Sequence, residues 1–265
     1  MSAAESINIL GNFCGKRDVG ELTTENLQKE YHIPQADVMV LFGGSILCGG
    51  DVLAEAIENR IARCFIIVGG AGHTTPTLRI KMNAAYPTIK TENLSEAEIF
   101  NSYLKHRYSI QADYIETRST NCGNNITFLL ELLEREKIAC KHIILAQDAT
   151  MQYRMEMGMR KYRPDMNIIN FATYHAVVRE QGGSLGYDTD IWGMWDMERY
   201  ISLLMGEIPR LRDDENGYGP RGKDFIAHVD IPQSVANAFD ELRQNYSDLI
   251  RVANPEFASA KNTHD

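Results

Sequence analysis

Hydrophobic positions fall into short continuous runs, separated by longer stretches with an apolar residue at every third or fourth position. The clearest run, 38–42, is bounded by Asp37 and two glycines and is typical of a strand buried on both faces. Further runs predict strands at 65–68, 114–116, 142–146 and 167–172. Helical patterns separate them at 50–62, 95–107, 123–137 and 150–161. Strands that alternate with such helices predict a Rossmann-like α/β fold: an open parallel sheet of about five strands with helices on both faces.

The same pattern divides the chain into four segments. Two short N-terminal helices occupy 1–34, the α/β domain 35–180, a mostly helical region 181–255 and a disordered tail 256–265. The C-terminal region is expected to pack on the sheet or to form a small second lobe. Within the α/β domain, the connection 70–94 is long and predicts a lid or a ligand-binding loop.

Two smaller features of these segments can also be predicted. Thr23 or Thr24 is expected to cap the second N-terminal helix. Asp18 lies in the polar loop before that helix, and we expect it in a solvated position. In the C-terminal region, 192–205 has a helical pattern.

Composition excludes several function classes. The net charge of −9 would repel phosphate backbones, so no nucleic-acid partner is expected. The five cysteines are scattered without a C-x-x-C pair, and no histidine cluster has metal-ligand spacing, so no metal site is expected. No apolar run reaches the roughly 20 residues needed to span a membrane, and the N-terminus lacks signal-peptide features. We therefore expect a cytoplasmic protein with a small-molecule ligand; the sequence predicts no oligomeric state.

Glycine-rich turns follow the first two strands. The first strand of an open α/β sheet ends at the topological switch point, where the backbone of Gly43, Gly44 and Ser45 could closely approach a ligand. The alternative is that these glycines only form a tight turn. Gly70 and Gly72 begin a near match to the dinucleotide motif G-x-G-x-x-G, which is a weak signal. Because the lysine of a P-loop is missing, that motif is excluded.

The densest polar stretch connects the third strand to its helix. Glu116 ends the strand, and Ser119, Asn121 and Asn125 follow it. A carboxylate with carboxamides at a strand end suits an uncharged polar ligand or an activated water. The alternative is a capped helix start, which would account for one or two of these side chains.

A second strand-to-helix turn carries Gln147, Asp148 and Arg154. Asp148 is expected to point into the same crevice, so Glu116 and Asp148 are the candidate catalytic carboxylates. Arg154 could clamp a carboxylate or phosphate of the ligand. The alternative is an ion pair of Arg154 with Asp148 or Glu156.

At these turns the chain resembles the ElyC/SanA/YdcF family of bacterial proteins, over roughly residues 36–185. The family pattern E-x-x-S-x-N-T-x-E-N is matched by Glu116, Ser119, Asn121 and Asn125, while Cys122 and Asn124 depart from it. In the following turn Arg154 matches, and Met151 stands where relatives carry a histidine. The resemblance implies an α/β fold like those of nucleotide-using enzymes and binding of S-adenosyl-L-methionine.

The leading hypothesis is therefore a protein that binds S-adenosyl-L-methionine or a similar nucleoside above the strand ends, as a methyltransferase-like enzyme. One alternative is a hydrolase-like or envelope-linked enzyme in which Glu116 or Asp148 activates water. Another is a non-catalytic sensor that binds the ligand and signals to a partner.

Overall fold

The computed structural model describes residues 1–249, and the predicted tail 256–265 lies outside them. The main strands are β1 (Ala36–Phe42), β2 (Ala62–Val68), β3 (Tyr114–Glu116), β4 (His142–Ala146) and β5 (Asn167–Asn170), and a hairpin adds β6 (Val178–Gln181) and β7 (Ser184–Tyr187). The helices are α1 (Ala3–Cys14), α2 (Thr24–Tyr31), α3 (Cys48–Glu58), α4 (Thr75–Ala85), α5 (Glu96–Tyr108), α6 (Cys122–Arg135), α7 (Gln152–Tyr162), α8 (Met197–Leu211) and α9 (Gln233–Tyr246), followed by a 3-10 turn, Ser247–Leu249.

The five main strands form one parallel sheet in the order β3-β2-β1-β4-β5. This confirms the predicted Rossmann-like α/β fold and places β1 in the interior of the sheet. The order reverses between β1 and β4, so the topological switch point lies at the carboxyl ends of these two strands.

Alternate residues of β1 enter two different cores. Met39 and Leu41 pack with α3 and α5 on one face of the sheet. Val38 and Val40 pack with α6 and α7 on the other face. A strand covered on both faces has no polar alternation, which is why the continuous apolar run predicted β1 correctly.

The long connection 70–94 is not the open loop that was predicted, because it contains α4. Pro76 stands in the first turn of this helix, where its missing N–H has no intrahelical partner to lose and its fixed φ suits the helix. Leu78 and Met82 bury the inner face of α4 in the core. The sequence analysis placed no helix here, although a proline in this position favours a helix start.

A third helical layer combines both ends of the described chain. Ile7 and Leu10 of α1 share a buried cluster with Leu204 of α8 and Phe239 of α9. The hairpin β6–β7 was not predicted, since its two four-residue strands bury only one side chain, Val178. Among residues 1–249, no helix is long and apolar enough to cross a membrane.

Two local predictions near the N-terminus have different outcomes. Thr23 caps α2 through its side chain, as expected. Asp18 is not a solvated loop residue, because its carboxylate accepts hydrogen bonds from the backbone and the side chain of Asn170 at 2.7 and 3.0 Å. The loop before α2 is therefore fastened to the edge strand β5.

Candidate functional site

The switch point between β1 and β4 is closed in this structure. The side chain of Gln147 donates to the carbonyl of Gly43 at 3.3 Å, and a Cβ on Gly44 would lie 3.5 Å from its Oε1. The backbone N–H of Cys48 donates to the carbonyl of Trp192, in the stretch that precedes α8. The remaining cavity measures about 10 Å³. Of the predicted residues, Gly44, Gln147 and Asp148 line this cavity, which has room for about one water.

Asp148 is almost fully buried and is held by four donors. Its Oδ1 accepts the backbone N–H and the hydroxyl of Thr150 at 2.9 and 2.8 Å, and the hydroxyl of Tyr174 at 2.7 Å. Its Oδ2 accepts the indole Nε1–H of Trp195 at 2.8 Å. Three of these four bonds end on Oδ1 and one ends on Oδ2, so both oxygens of the carboxylate are engaged. The catalytic role of Asp148 stays a prediction, whereas its contribution to the closed switch point is visible.

Glu116 organises the turn that follows β3. Its two carboxylate oxygens accept the backbone N–H groups of Arg118 at 2.6 Å and Ser119 at 3.2 Å. The hydroxyl of Ser119 in turn accepts the backbone N–H of Gly70 at 3.0 Å. A Cβ on Gly70 would lie 2.1 Å from the Ser119 carbonyl oxygen, so this glycine allows two turns to pack together.

The rest of the predicted polar stretch also serves local structure. Asn121 is the N-cap of α6, and its side chain accepts the backbone N–H of Asn124 at 2.9 Å. Asn125 is buried in the first turn of the same helix. Gly72 faces the carbonyl of Thr120, which would lie 3.1 Å from an added Cβ. Their roles as ligand-binding residues stay predictions.

Arg154 forms a buried ion pair with a residue that the sequence analysis did not consider. Its guanidinium bonds both carboxylate oxygens of Glu207 on α8, at 2.5 and 2.9 Å. The side chains are 12% and 5% exposed. The alternative partner Glu156 pairs with Lys16 and Arg160 instead. Arg154 therefore links α7 to the third helical layer.

A buried carboxyl group that the sequence analysis missed lies between the ends of β1 and β2. Glu96 begins α5, and its Oε1 accepts the hydroxyls of Thr74 and Thr75, each at 2.9 Å. A Cβ on Gly43 would lie 2.6 Å from Oε2 of Glu96, and a Cβ on Gly69 would lie 3.0 Å from the Cβ of Glu96. Both strand-end glycines thus make room for this side chain. Burial raises the pKa of Glu96, against the lowering effect of the two hydroxyls.

An open cleft of about 390 Å³ lies beside the turn that follows β1. Its lining comes from α4 and the two residues before it, and from the first turn of α8 and the residues before that helix. The lining residues are His73, Thr74, Thr77, Lys81, Met194, Trp195, Asp196 and Arg199. The hydroxyl of Ser45 donates to the carbonyl of Thr74 at 2.9 Å. That bond joins the first glycine turn to the cleft.

Lys81 and Trp195 hold the wall of this cleft together. The ammonium group of Lys81 donates to the carbonyl of Gly193 at 2.6 Å and lies 4.6 Å from the centroid of the Trp195 ring. The guanidinium of Arg199 approaches the same ring at 5.7 Å. Burial lowers the pKa of Lys81, while the carboxylates of Asp148 and Asp196 act in the opposite direction.

These cleft residues had weak signals in the sequence. Lys81 stands on α4, the helix that was taken for a loop. Asp196 caps α8 through a bond from the backbone N–H of Arg199, so the helix begins at Met197 rather than at Trp192 as predicted. Asp196 is a favoured N-cap residue type, and this signal predicts a helix start at 197 with a loop before it.

No protein-family model matches the chain. Among solved structures, it is similar to E. coli tRNA N6-threonylcarbamoyladenosine dehydratase, TcdA, in complex with AMP, at 9% sequence identity and a TM-score of 0.32. The similarity covers 80% of this chain and 88% of that chain. At a TM-score of 0.32, the similarity supports no conclusion about this chain. Across the described part of the chain, no group of three or more His, Cys, Asp or Glu side chains could hold a metal ion.

Proposed function

We propose that this protein binds S-adenosyl-L-methionine or a similar nucleoside in the open cleft, as a methyltransferase-like enzyme. The observation that carries the proposal is the cleft itself, which lies beside the carboxyl ends of β1 and β2. Open α/β sheets bind ligands at this edge. A volume of about 390 Å³ falls in the range of small-molecule sites. The resemblance to the ElyC/SanA/YdcF family supports S-adenosyl-L-methionine in particular.

The lining of the cleft suits the parts of a nucleoside. Trp195 contributes part of a largely buried ring to the lining, and Asp196 has a carboxylate oxygen that can accept hydrogen bonds from ribose hydroxyls. His73 and Thr77 are exposed at the cleft, so a second substrate can reach it from solvent. This accessibility favours an enzyme over a sensor, because methyl transfer requires an approach path to the methyl group.

Calorimetric titration with S-adenosyl-L-methionine tests the proposal with a variant that fills the cleft. Thr77→Trp places a large ring in the cleft from an exposed position, so we expect binding to weaken by about tenfold or more. Ile80→Trp is the matched control, since Ile80 is 72% exposed on the same helix and does not line the cleft. Equal affinities of the two folded variants for S-adenosyl-L-methionine would show that the ligand binds outside the cleft.

Glu96 favours a hydrolase-like enzyme as a second candidate function. A buried carboxyl group with a raised pKa at a strand end is a typical general acid or base. Glu96 does not itself line the cleft, but its hydroxyl partner Thr74 does, so a proton could pass between the carboxyl group and a substrate through Thr74. In this candidate, Glu96 takes the role that the sequence analysis gave to Glu116 or Asp148.

The two candidate functions differ in what Glu96→Gln does. A hydrolase would lose turnover of a phosphate or carboxylic ester while its binding of that ester is retained, because the carboxamide keeps the shape but not the acid–base chemistry. Hydrolysis rates and binding are measured on the same preparations. Unchanged hydrolysis in Glu96→Gln protein would exclude this candidate.

A further inference from the structure

Two cationic side chains at the cleft have no carboxylate partner within the described chain. Lys81 contacts backbone carbonyls, at 2.6 Å to Gly193 and 3.5 Å to Ser45 and Met194. The guanidinium of Arg199 makes no hydrogen bond and no ion pair with any residue of 1–249, and it approaches only the ring of Trp195.

Most other partly buried cations of the described chain are neutralised. Arg154 pairs with Glu207, while Lys16 and Arg160 share Glu156. Arg199 instead approaches the Trp195 ring, as Arg212 approaches that of Phe239, without an ion pair to any residue of 1–249.

Asp196 is the carboxylate that lines the same cleft. Its Oδ1 accepts the backbone N–H of Arg199, as the N-cap of α8, at 2.7 Å. Asp196 and the buried Asp148 both act electrostatically on Lys81, so Arg199 is the cation of the cleft that has no ion pair with any residue of 1–249. A half-buried guanidinium without a counter-charge is costly unless an anion compensates it.

We propose that the cleft recognises an anionic group, a phosphate or a carboxylate, between Lys81 and Arg199. Arg199 can offer its planar fork to two oxygens of the anion, and Lys81 can exchange one of its long 3.5 Å contacts, with Ser45 or Met194, for a bond to the anion. The inference rests on the proposed nucleoside site and narrows its ligand class. The ligand is a nucleoside with an acidic end, such as a nucleotide or an amino-acid conjugate, rather than a neutral nucleoside.

Paired ligands that differ only in the acidic group test the inference and identify its source. AMP against adenosine tests a phosphate, and S-adenosyl-L-methionine against its decarboxylated form tests a carboxylate. We expect the acidic member of one pair to bind about tenfold or more tightly than the member without the acidic group, as is usual for charge-assisted bonds. Arg199→Gln should bring the two members within about threefold, and added salt should narrow the gap.

Arg179→Gln is the matched control, because Arg179 is exposed and pairs with Asp188 away from the cleft. It should leave the preference intact. Equal binding of both members of each pair by the wild-type protein would overturn the anion inference while leaving nucleoside binding in place. If no nucleoside binds, titration with inorganic phosphate, followed by tryptophan fluorescence, decides separately. Phosphate binding that is lost in Arg199→Gln would support the anion site without the nucleoside. If phosphate does not bind either, the anion site is overturned together with the nucleoside site.

Discussion

The indole Nε1 of Trp195 donates a hydrogen bond to Oδ2 of Asp148 across 2.8 Å, which joins the residues before α8 to the end of β4. Both side chains are buried, and the other oxygen of Asp148 is taken by Thr150 and Tyr174. The wall of the open cleft and the closed switch point therefore share one hydrogen bond. A change at either residue acts on both places.

Trp195→Phe should destabilise the fold because it leaves Oδ2 of Asp148 buried without a donor. Such a loss costs about 1–3 kcal/mol, and each kcal/mol lowers the Tm by roughly 2–4 °C in a chain of this size. Trp192→Phe is the control, because the indole N–H of Trp192 donates to no other residue of 1–249. Calorimetric melting curves compare the two. Equal Tm values for both variants would show that the hydrogen bond contributes nothing to stability.

The buried pair Arg154–Glu207 should show strong coupling. Arg154→Met leaves a buried carboxylate unpaired, which typically costs about 3–5 kcal/mol. The double variant Arg154→Met, Glu207→Leu removes both charges and should be much less destabilised than the sum of the two single variants. Urea unfolding of all four proteins gives the coupling free energy, which we expect to exceed about 1 kcal/mol. Additive effects would contradict a direct interaction.

Two glycines of the predicted site should respond differently to alanine. A Cβ on Gly70 meets backbone atoms of Ser119 at 2.1 and 2.8 Å, whereas a Cβ on Gly44 meets only a side-chain oxygen of Gln147 at 3.5 Å. Gly70→Ala should therefore fold poorly, and Gly44→Ala should keep a Tm close to that of the wild type. If the ligand binds in the open cleft, Gly44→Ala should bind S-adenosyl-L-methionine as tightly as the wild type. A loss of binding in that folded variant would indicate that the ligand binds at the switch point instead.

Glu96 should make stability dependent on pH. Burial raises its pKa in the native state, so the native protein keeps a proton that the unfolded chain releases above a pKa of about 4.3. The stabilisation from this proton is complete below the unfolded pKa and is lost as the pH rises through the native pKa. Glu96→Gln has no carboxyl proton to lose, so its stability lacks this pH dependence. The nearby Arg79 stays charged throughout this pH range. The Tm of the variant minus that of the wild type should increase between pH 4 and pH 8; a constant difference would exclude the linkage.

The sheet was predictable because its signal is local. Each of the runs 38–42 and 143–146 is apolar throughout, and burial on both faces requires no knowledge of the partner strand. Helix α4 was missed for a local reason as well, since Pro76 favours a helix start only if a helix follows it.

The site was less predictable because its contacts join distant parts of the chain. The residue types at strand ends indicated Glu116 and Asp148 as candidate site residues. They did not show that backbone and side-chain donors occupy the carboxylate oxygens of these residues. Nothing near Arg154 in the sequence indicates that Glu207 is its partner. Arg199 is a candidate because no carboxylate of residues 1–249 forms an ion pair with it, and spacing along a sequence does not reveal such an absence.

The packing of α1 against α9 has a consequence for synthesis on the ribosome. The apolar side chains of α1, including Ile7 and Leu10, are covered by residues of α9 such as Ala238 and Phe239. Translation adds roughly 5–20 residues per second, so the first helix emerges on the order of ten seconds or more before its cover exists. During that interval its apolar face is open to chaperones, and the nascent chain completes its third layer only after α9 has left the ribosome.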